Sequence, residues 1–100
     1  MSIDSKMFNI TRFSLAPRQA LNVLPQDPNR KYFFIANSAT SLNEMYILYY
    51  QLEQTGLLVT PQDAFAIYQG GYYEPNMIPQ NAISIYNNNA VNTITGFIFT

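Results

Sequence analysis

The chain has 100 residues, five Lys or Arg against six Asp or Glu, and a net charge of −1. That is the size of one small domain with a single core, read as spanning residues 1–100. Its 48% apolar content excludes the disordered class, and the lack of any His or Cys removes disulfides, the usual general base and the usual transition-metal ligands.

Turn signals built from Pro, Gly and Asn recur about every 8–12 residues, and the segments between them are β-branched and aromatic, which predicts short antiparallel strands. In the first, residues 7–15, Phe8 and Ile10 fall on one phase and Phe13 and Leu15 on the other. The slip near Thr11-Arg12 predicts a bulge or corner. Leu21 and Val23 alternate with Asn22, as in a half-buried strand. After the turn Pro25-Gln26-Asp27-Pro28-Asn29, Arg30-Lys31 reads as a solvated strand entrance. Tyr32-Phe33-Phe34-Ile35-Ala36 is apolar on both phases, as in a central strand or one whose outer face a partner covers.

Residues 42–54 carry two signals. Ser41-Leu42-Asn43-Glu44 has the form of a capping box, with Leu42, Met45, Tyr49 and Leu52 on one helical face, whereas Met45-Tyr46-Ile47-Leu48-Tyr49-Tyr50 is rich in strand formers. Strand is the favoured reading. Turns at Thr55-Gly56, Pro61-Gln62-Asp63, Gly70-Gly71, Pro79-Gln80-Asn81 and Asn87-Asn88-Asn89 then frame strands at residues 64–68, 82–86 and 94–99. The fold class that follows is all-β, a small antiparallel β-sandwich.

The carboxylates Asp4, Asp27, Glu44, Glu53, Asp63 and Glu74 are scattered, with no local cluster resembling a calcium loop or a glycosidase pair. No enzymatic activity, catalytic residue, metal ligand or cofactor is expected. Gly70-Gly71 lacks the Lys-Ser/Thr of a phosphate loop, and one adjacent basic pair is no footprint for nucleic acid. The apolar runs fall well short of the ~20 residues that cross a bilayer, and no basic-then-apolar signal segment opens the chain, so it reads as soluble, without a membrane partner.

Charged residues make up 11% of the chain, under half the usual ~25%, so a surface kept polar by Asn, Gln, Ser and Thr is expected to meet other protein. Eight Tyr and seven Phe exceed what a small core needs. Tyr32, Tyr46, Tyr68 and Tyr86 read as core-margin residues with hydroxyls in water. Tyr72 and Tyr73, beside the Gly-Gly turn, are the candidate interface residues.

The run Asn29-Arg30-Lys31-Tyr32-Phe33-Phe34-Ile35-Ala36-Asn37-Ser38 resembles a pattern of small virion proteins of tailed bacteriophages, in which an Asn-Arg-Lys turn leads into an apolar strand ending in Asn-Ser. The likeness continues through residues 45–50, Gly56-Leu57-Leu58-Val59-Thr60-Pro61 and Ile78-Pro79-Gln80-Asn81-Ala82-Ile83-Ser84-Ile85; the Gly-Gly-Tyr-Tyr and Asn-Asn-Asn segments lie outside it. What the resemblance implies is a compact β-sandwich, often jelly-roll-like, acting as a capsid decoration or cement protein. Its partners would be the major capsid protein or other virion proteins and further copies of itself, as a homo-oligomer. Its location would be the virion, and the host cytoplasm during assembly. A head–tail connector or tail component is the nearest alternative. A module that binds a carbohydrate or host receptor through exposed aromatics is an alternative of another class.

Overall fold

The computed structural model describes residues 8–53 and 63–100. Met7, Gln54, the turn at Thr55-Gly56 and the Pro61-Gln62 part of the next turn lie outside the described residues.

Where β-branched and aromatic residues gather between turns the chain extends, giving β1 (Ile10–Leu15), β2 (Ala20–Leu24), β3 (Phe34–Asn37), β4 (Met45–Leu48), β5 (Phe65–Ile67), β6 (Tyr72–Tyr73), β7 (Ile83–Tyr86) and β8 (Ile94–Phe99). Among the described residues there is no helix. The strands form two antiparallel sheets, ordered β1-β8-β3-β6 and β2-β7-β4-β5. Every connection except β4 to β5 passes from one sheet to the other, and this order is that of a jelly roll. The inner faces meet through Phe13 and Leu15, Ile35, Met45 and Ile47, Ile83 and Ile85, and Ile94 and Ile98, all buried. Each such side chain contributes about 1.5–3 kcal/mol by leaving water.

Polar side chains lock the layers together. Asn37, at the end of β3 and fully buried, donates across the sandwich to the Ile67 carbonyl of β5 at 2.9 Å and to the Asn43 carbonyl at 2.8 Å. Asn87 donates to the Leu15 carbonyl at 3.0 Å and to the Asn92 carbonyl at 2.8 Å, joining the end of β1 to the approach to β8. Gly96 faces the same interior: a Cβ there would lie 2.6 Å from the Phe13 ring and overlap the Ala36 carbonyl, so only glycine permits this approach.

One local reading holds and three meet the structure differently. Residues 45–48 form a strand, as the strand-forming composition indicated, and the capping-box serine serves another end: the Ser41 hydroxyl donates to the Thr95 carbonyl at 2.8 Å and accepts from its amide at 2.7 Å. The bulge expected near Thr11-Arg12 is absent, because β1 pairs with β8 in unbroken register from Ile10 with Phe99 to Leu15 with Ile94. The register shift lies instead in β2, between Asn22 and Leu24. Arg30 is not a solvated strand entrance: it is 6% exposed, and its guanidinium donates to the carbonyls of Pro25 (2.9 Å), Pro79 (2.6 Å) and Asn81 (2.9 Å). Of the four core-margin tyrosines, Tyr86 is fully buried and Tyr68 is largely exposed.

The outer face of the second sheet is covered by its own chain. Beyond β4, residues 50–52 turn back across it: Asn22 and the Leu52 backbone exchange two hydrogen bonds, and Ser84 donates to the Tyr50 carbonyl. Leu52 thereby packs with Ala20, Leu48 and Tyr86 in a second apolar cluster outside the sheet.

Arg30 holds two loops through three charge-assisted bonds that no other side chain replaces. Burial pulls its pKa down from the ordinary arginine value, opposed by the neighbouring Asp27. Arg30→Met should cost about 3 kcal/mol, lowering Tm by more than about 10 °C, because buried carbonyls lose their donors. Arg30→Lys should recover little, since an ammonium cannot span three fixed acceptors. Thermal unfolding followed by circular dichroism measures both; a Tm within about 3 °C of wild type for Arg30→Met would contradict this role.

Candidate functional site

The alternation of a strand sends successive side chains to opposite faces. In β8, Ile94 and Ile98 point inward, which turns Phe97 and Phe99 outward. In β3, Ile35 points inward and Phe34 outward, with Tyr32 two residues before it on the same side. The register of β6, Ala36 with Tyr72 and Ile35 with Tyr73, places Tyr72 on the outer face and Tyr73 on the inner. Ile10 of β1 and Phe8 before it complete the outer set.

These residues form one continuous surface. Ring centroids run from Tyr32 to Phe8 (4.9 Å), Phe8 to Phe99 (6.1 Å), Phe99 to Phe34 (5.6 Å) and Phe97 (5.3 Å), and Phe34 to Tyr72 (5.3 Å, nearly parallel at 19°). Such pairings hold the rings in fixed orientations. Tyr72 is 68% exposed and Ile10 45%, and the phenylalanines are half-buried by one another. Unlike the second sheet, no described segment of the chain lies over this face. The rim is polar: Arg12 stands on the β1 side, and Glu74 follows β6, accepting the Tyr32 hydroxyl's hydrogen bond. That bond is the main cause that raises the Tyr32 pKa.

The structure thus separates the two tyrosines that the sequence pairs. Tyr72 belongs to the aromatic face. Tyr73 turns into the open edge between the sheets, its ring edge-on to Phe65 at 5.2 Å, and Phe65 is in turn edge-on to Tyr49 at 5.5 Å. The turn that sets this up is closed by the Gly71 amide on the Tyr68 carbonyl at 2.8 Å, with Gly70 at a positive φ of 72°. The Tyr49 hydroxyl is buried without a hydrogen-bond partner among the described residues. Burial raises its pKa far above the ordinary tyrosine value, and the neighbouring Tyr73 hydroxyl adds to the rise.

A second surface feature is a cleft of about 480 Å³ lined by Gln26, Tyr49, Tyr50, Gln51, Gln80 and Asn81, with amides and phenols but no charged side chain. Among the described residues no three of His, Cys, Asp and Glu come together to hold a metal ion. Compared with known proteins, the chain matches no family model, no curated protein and no solved structure.

Sequence reasoning passed over Phe8, Ile10, Phe97 and Phe99 as interface residues. Their signal was present in the consecutive Phe97-Ile98-Phe99, apolar on both phases, and in the phase change at Thr11-Arg12, where Phe8 and Ile10 lie outside and Phe13 and Leu15 inside.

The opposite orientations of the tyrosine pair set distinct outcomes. Tyr72→Ala should change folding stability by about 0.5 kcal/mol or less, as surface substitutions do, whereas Tyr73→Ala should lose about 1–2 kcal/mol with its contact to Phe65. Equal losses in urea unfolding would contradict the assigned faces. Because the folded state holds Tyr49 neutral, with its pKa above the unfolded value, that stabilisation is complete below about pH 10 and is lost as pH rises through the folded value. Tm should therefore be insensitive to this group at neutral pH and fall above about pH 10. Tyr49→Phe should flatten that fall without lowering Tm at pH 7; an unchanged alkaline profile would remove Tyr49 as its source.

Proposed function

We propose that this chain is a structural assembly protein that works by protein–protein contact and not by catalysis, of the decoration or cement kind found on bacteriophage heads. The observation that supports it is the asymmetry of the sandwich: one outer face is covered by residues 50–52, and the other presents Ile10 and six aromatic rings within a polar rim. The largest contiguous apolar patch on a small protein is often its functional surface, and aromatic anchors surrounded by polar residues dominate association energy. The jelly-roll order adds an analogy of fold alone, since capsid and lectin domains share it. Repeated over a shell, many weak contacts of this kind sum to strong stabilisation. The major capsid protein is the proposed partner of the assembly, and a neck or tail position is the nearest alternative within it.

Quantitative mass spectrometry of purified particles tests this reading directly, with hundreds of copies indicating the shell and a handful the neck or tail. Tyr72→Ala, which leaves the fold intact, should lower occupancy by an order of magnitude or more, as loss of about 2 kcal/mol implies. Absence of the wild-type protein from particles, or full occupancy by the variant, would overturn the proposal.

One observation favours a reading of another class. The amide and tyrosine lining of the cleft at Gln26, Tyr49, Gln51 and Gln80 is the chemistry that takes neutral saccharides, by stacking and by hydrogen bonds to hydroxyls. Glycan-array binding that Gln51→Ala and Gln80→Ala abolish would support it, and a blank array would exclude it.

A further inference from the structure

We propose that the occupant of the aromatic face is a second copy of this chain, packed face to face about a twofold axis parallel to the strands. This rests on the assembly reading above and names its first partner. The argument comes from the register. Arg12 of β1 lies beside Phe97 of β8, Phe97 beside Ala36 of β3, and Ala36 beside Tyr72 of β6, so these four form one row across the sheet. Read from β1 to β6 the row is a cation, a large ring, a small residue and a large ring. A twofold axis along the strands reverses the order of strands while keeping each row at its own height. It therefore sets Phe97 over the partner's Ala36, a projecting ring over a shallow site, and Arg12 over the partner's Tyr72, a guanidinium over an aromatic face. Both contacts occur twice.

The next row reads Ile10, Phe99 and Phe34. The same axis stacks Phe99 on the partner's Phe34. Glu74, one residue beyond Tyr73 at the β6 edge, then comes within reach of the partner's Arg12 across one row. The basic group thus stands on the β1 side and the acidic group on the β6 side, so like charges are kept apart and opposite charges are brought together. Stacked sheets in one domain pack about 10 Å apart with strand directions within about 30° of each other, a related aligned arrangement.

The area places the pair among weak interfaces. β1 and β8 have six residues each, β3 four and β6 two, so at ~3.4 Å per residue and ~4.8 Å between strands the footprint is about 300 Å² per copy. Burial of about 600 Å² in total is well below the ~1,200–2,000 Å² of stable complexes, so the free pair is weak and forms only at high protein concentration. On a lattice that holds copies close, it would be filled.

Sedimentation equilibrium from about 10 µM to 1 mM tests the pairing. Wild type should shift from monomer to dimer over this range. Phe97→Lys should remain monomeric throughout. Arg12→Glu and Glu74→Arg should each weaken the dimer about tenfold, and the two together should restore it to within about threefold of wild type, because the swapped charges again face each other. The charge variants lie on the rim and keep the test decisive if Phe97→Lys does not fold. A wild type that stays monomeric at about 1 mM, a dimer that survives Phe97→Lys, or charge variants whose combination does not restore pairing would each overturn the proposal. Should wild type stay monomeric while Tyr72→Ala still loses particle occupancy, the second copy is wrong and the assembly role stands. Should wild type dimerise in solution yet be absent from particles, the pairing stands and the assembly role is wrong.

Discussion

β8 lies between β1 and β3 and is hydrogen-bonded along both edges, and its alternation decides what each face of the first sheet carries. Ile94 and Ile98 give the interior its centre, and by the same period of two Phe97 and Phe99 must stand outside. A strand that is apolar on both sides needs a layer on both sides, and among the described residues the chain provides one. The second sheet meets the same requirement internally, since Leu48 and Tyr86 on its outer face are roofed by Leu52. The functional reading follows from that difference between the sheets.

The scarcity of charge has its counterpart inside the molecule. Among the described residues the layers are held by side chains that hydrogen-bond to backbone carbonyls: Asn37 between the sheets, Asn87 between β1 and the approach to β8, Ser41 onto Thr95, Arg30 onto three loop carbonyls. Directional bonds between a buried amide and a carbonyl fix geometry without the desolvation cost of a buried ion pair. The Asn-Arg-Lys and Asn-Ser elements flanking β3 thus have a physical content independent of any resemblance. Arg30 fastens the loops before the strand, and Asn37 fastens the strand's end to the opposite sheet.

Most of the architecture was legible in the sequence because turns and β-formers are local signals. The all-β class, the strands at Ile83–Tyr86 and Ile94–Phe99 and the turn at Gly70-Gly71 follow from propensity alone. What was not legible depends on partners distant in sequence. Whether Thr11-Arg12 marks a bend or a straight strand whose apolar residues change face is decided by β8, more than eighty residues away. The separation of Tyr72 from Tyr73 is likewise a fact of register with β3. Arg30 looked solvated because nothing nearby in sequence announces the carbonyls of Pro79 and Asn81.

The strand order also governs how the molecule comes into being. β1 and β3 both pair with β8, so the hydrogen bonds that define the first sheet are among the most distant in the chain, and closing such long loops makes folding slow compared with helical domains of equal size. Until β8 arrives, β1 and β3 carry unpaired edges and bare aromatic rings together, the combination that favours misassociation of nascent chains. The interval between synthesis of β3 and docking of β8 is thus when the chain is most open to misassociation. Conditions that shorten that interval or dilute the nascent chain, such as slow expression at low temperature, favour the native sandwich over aggregate.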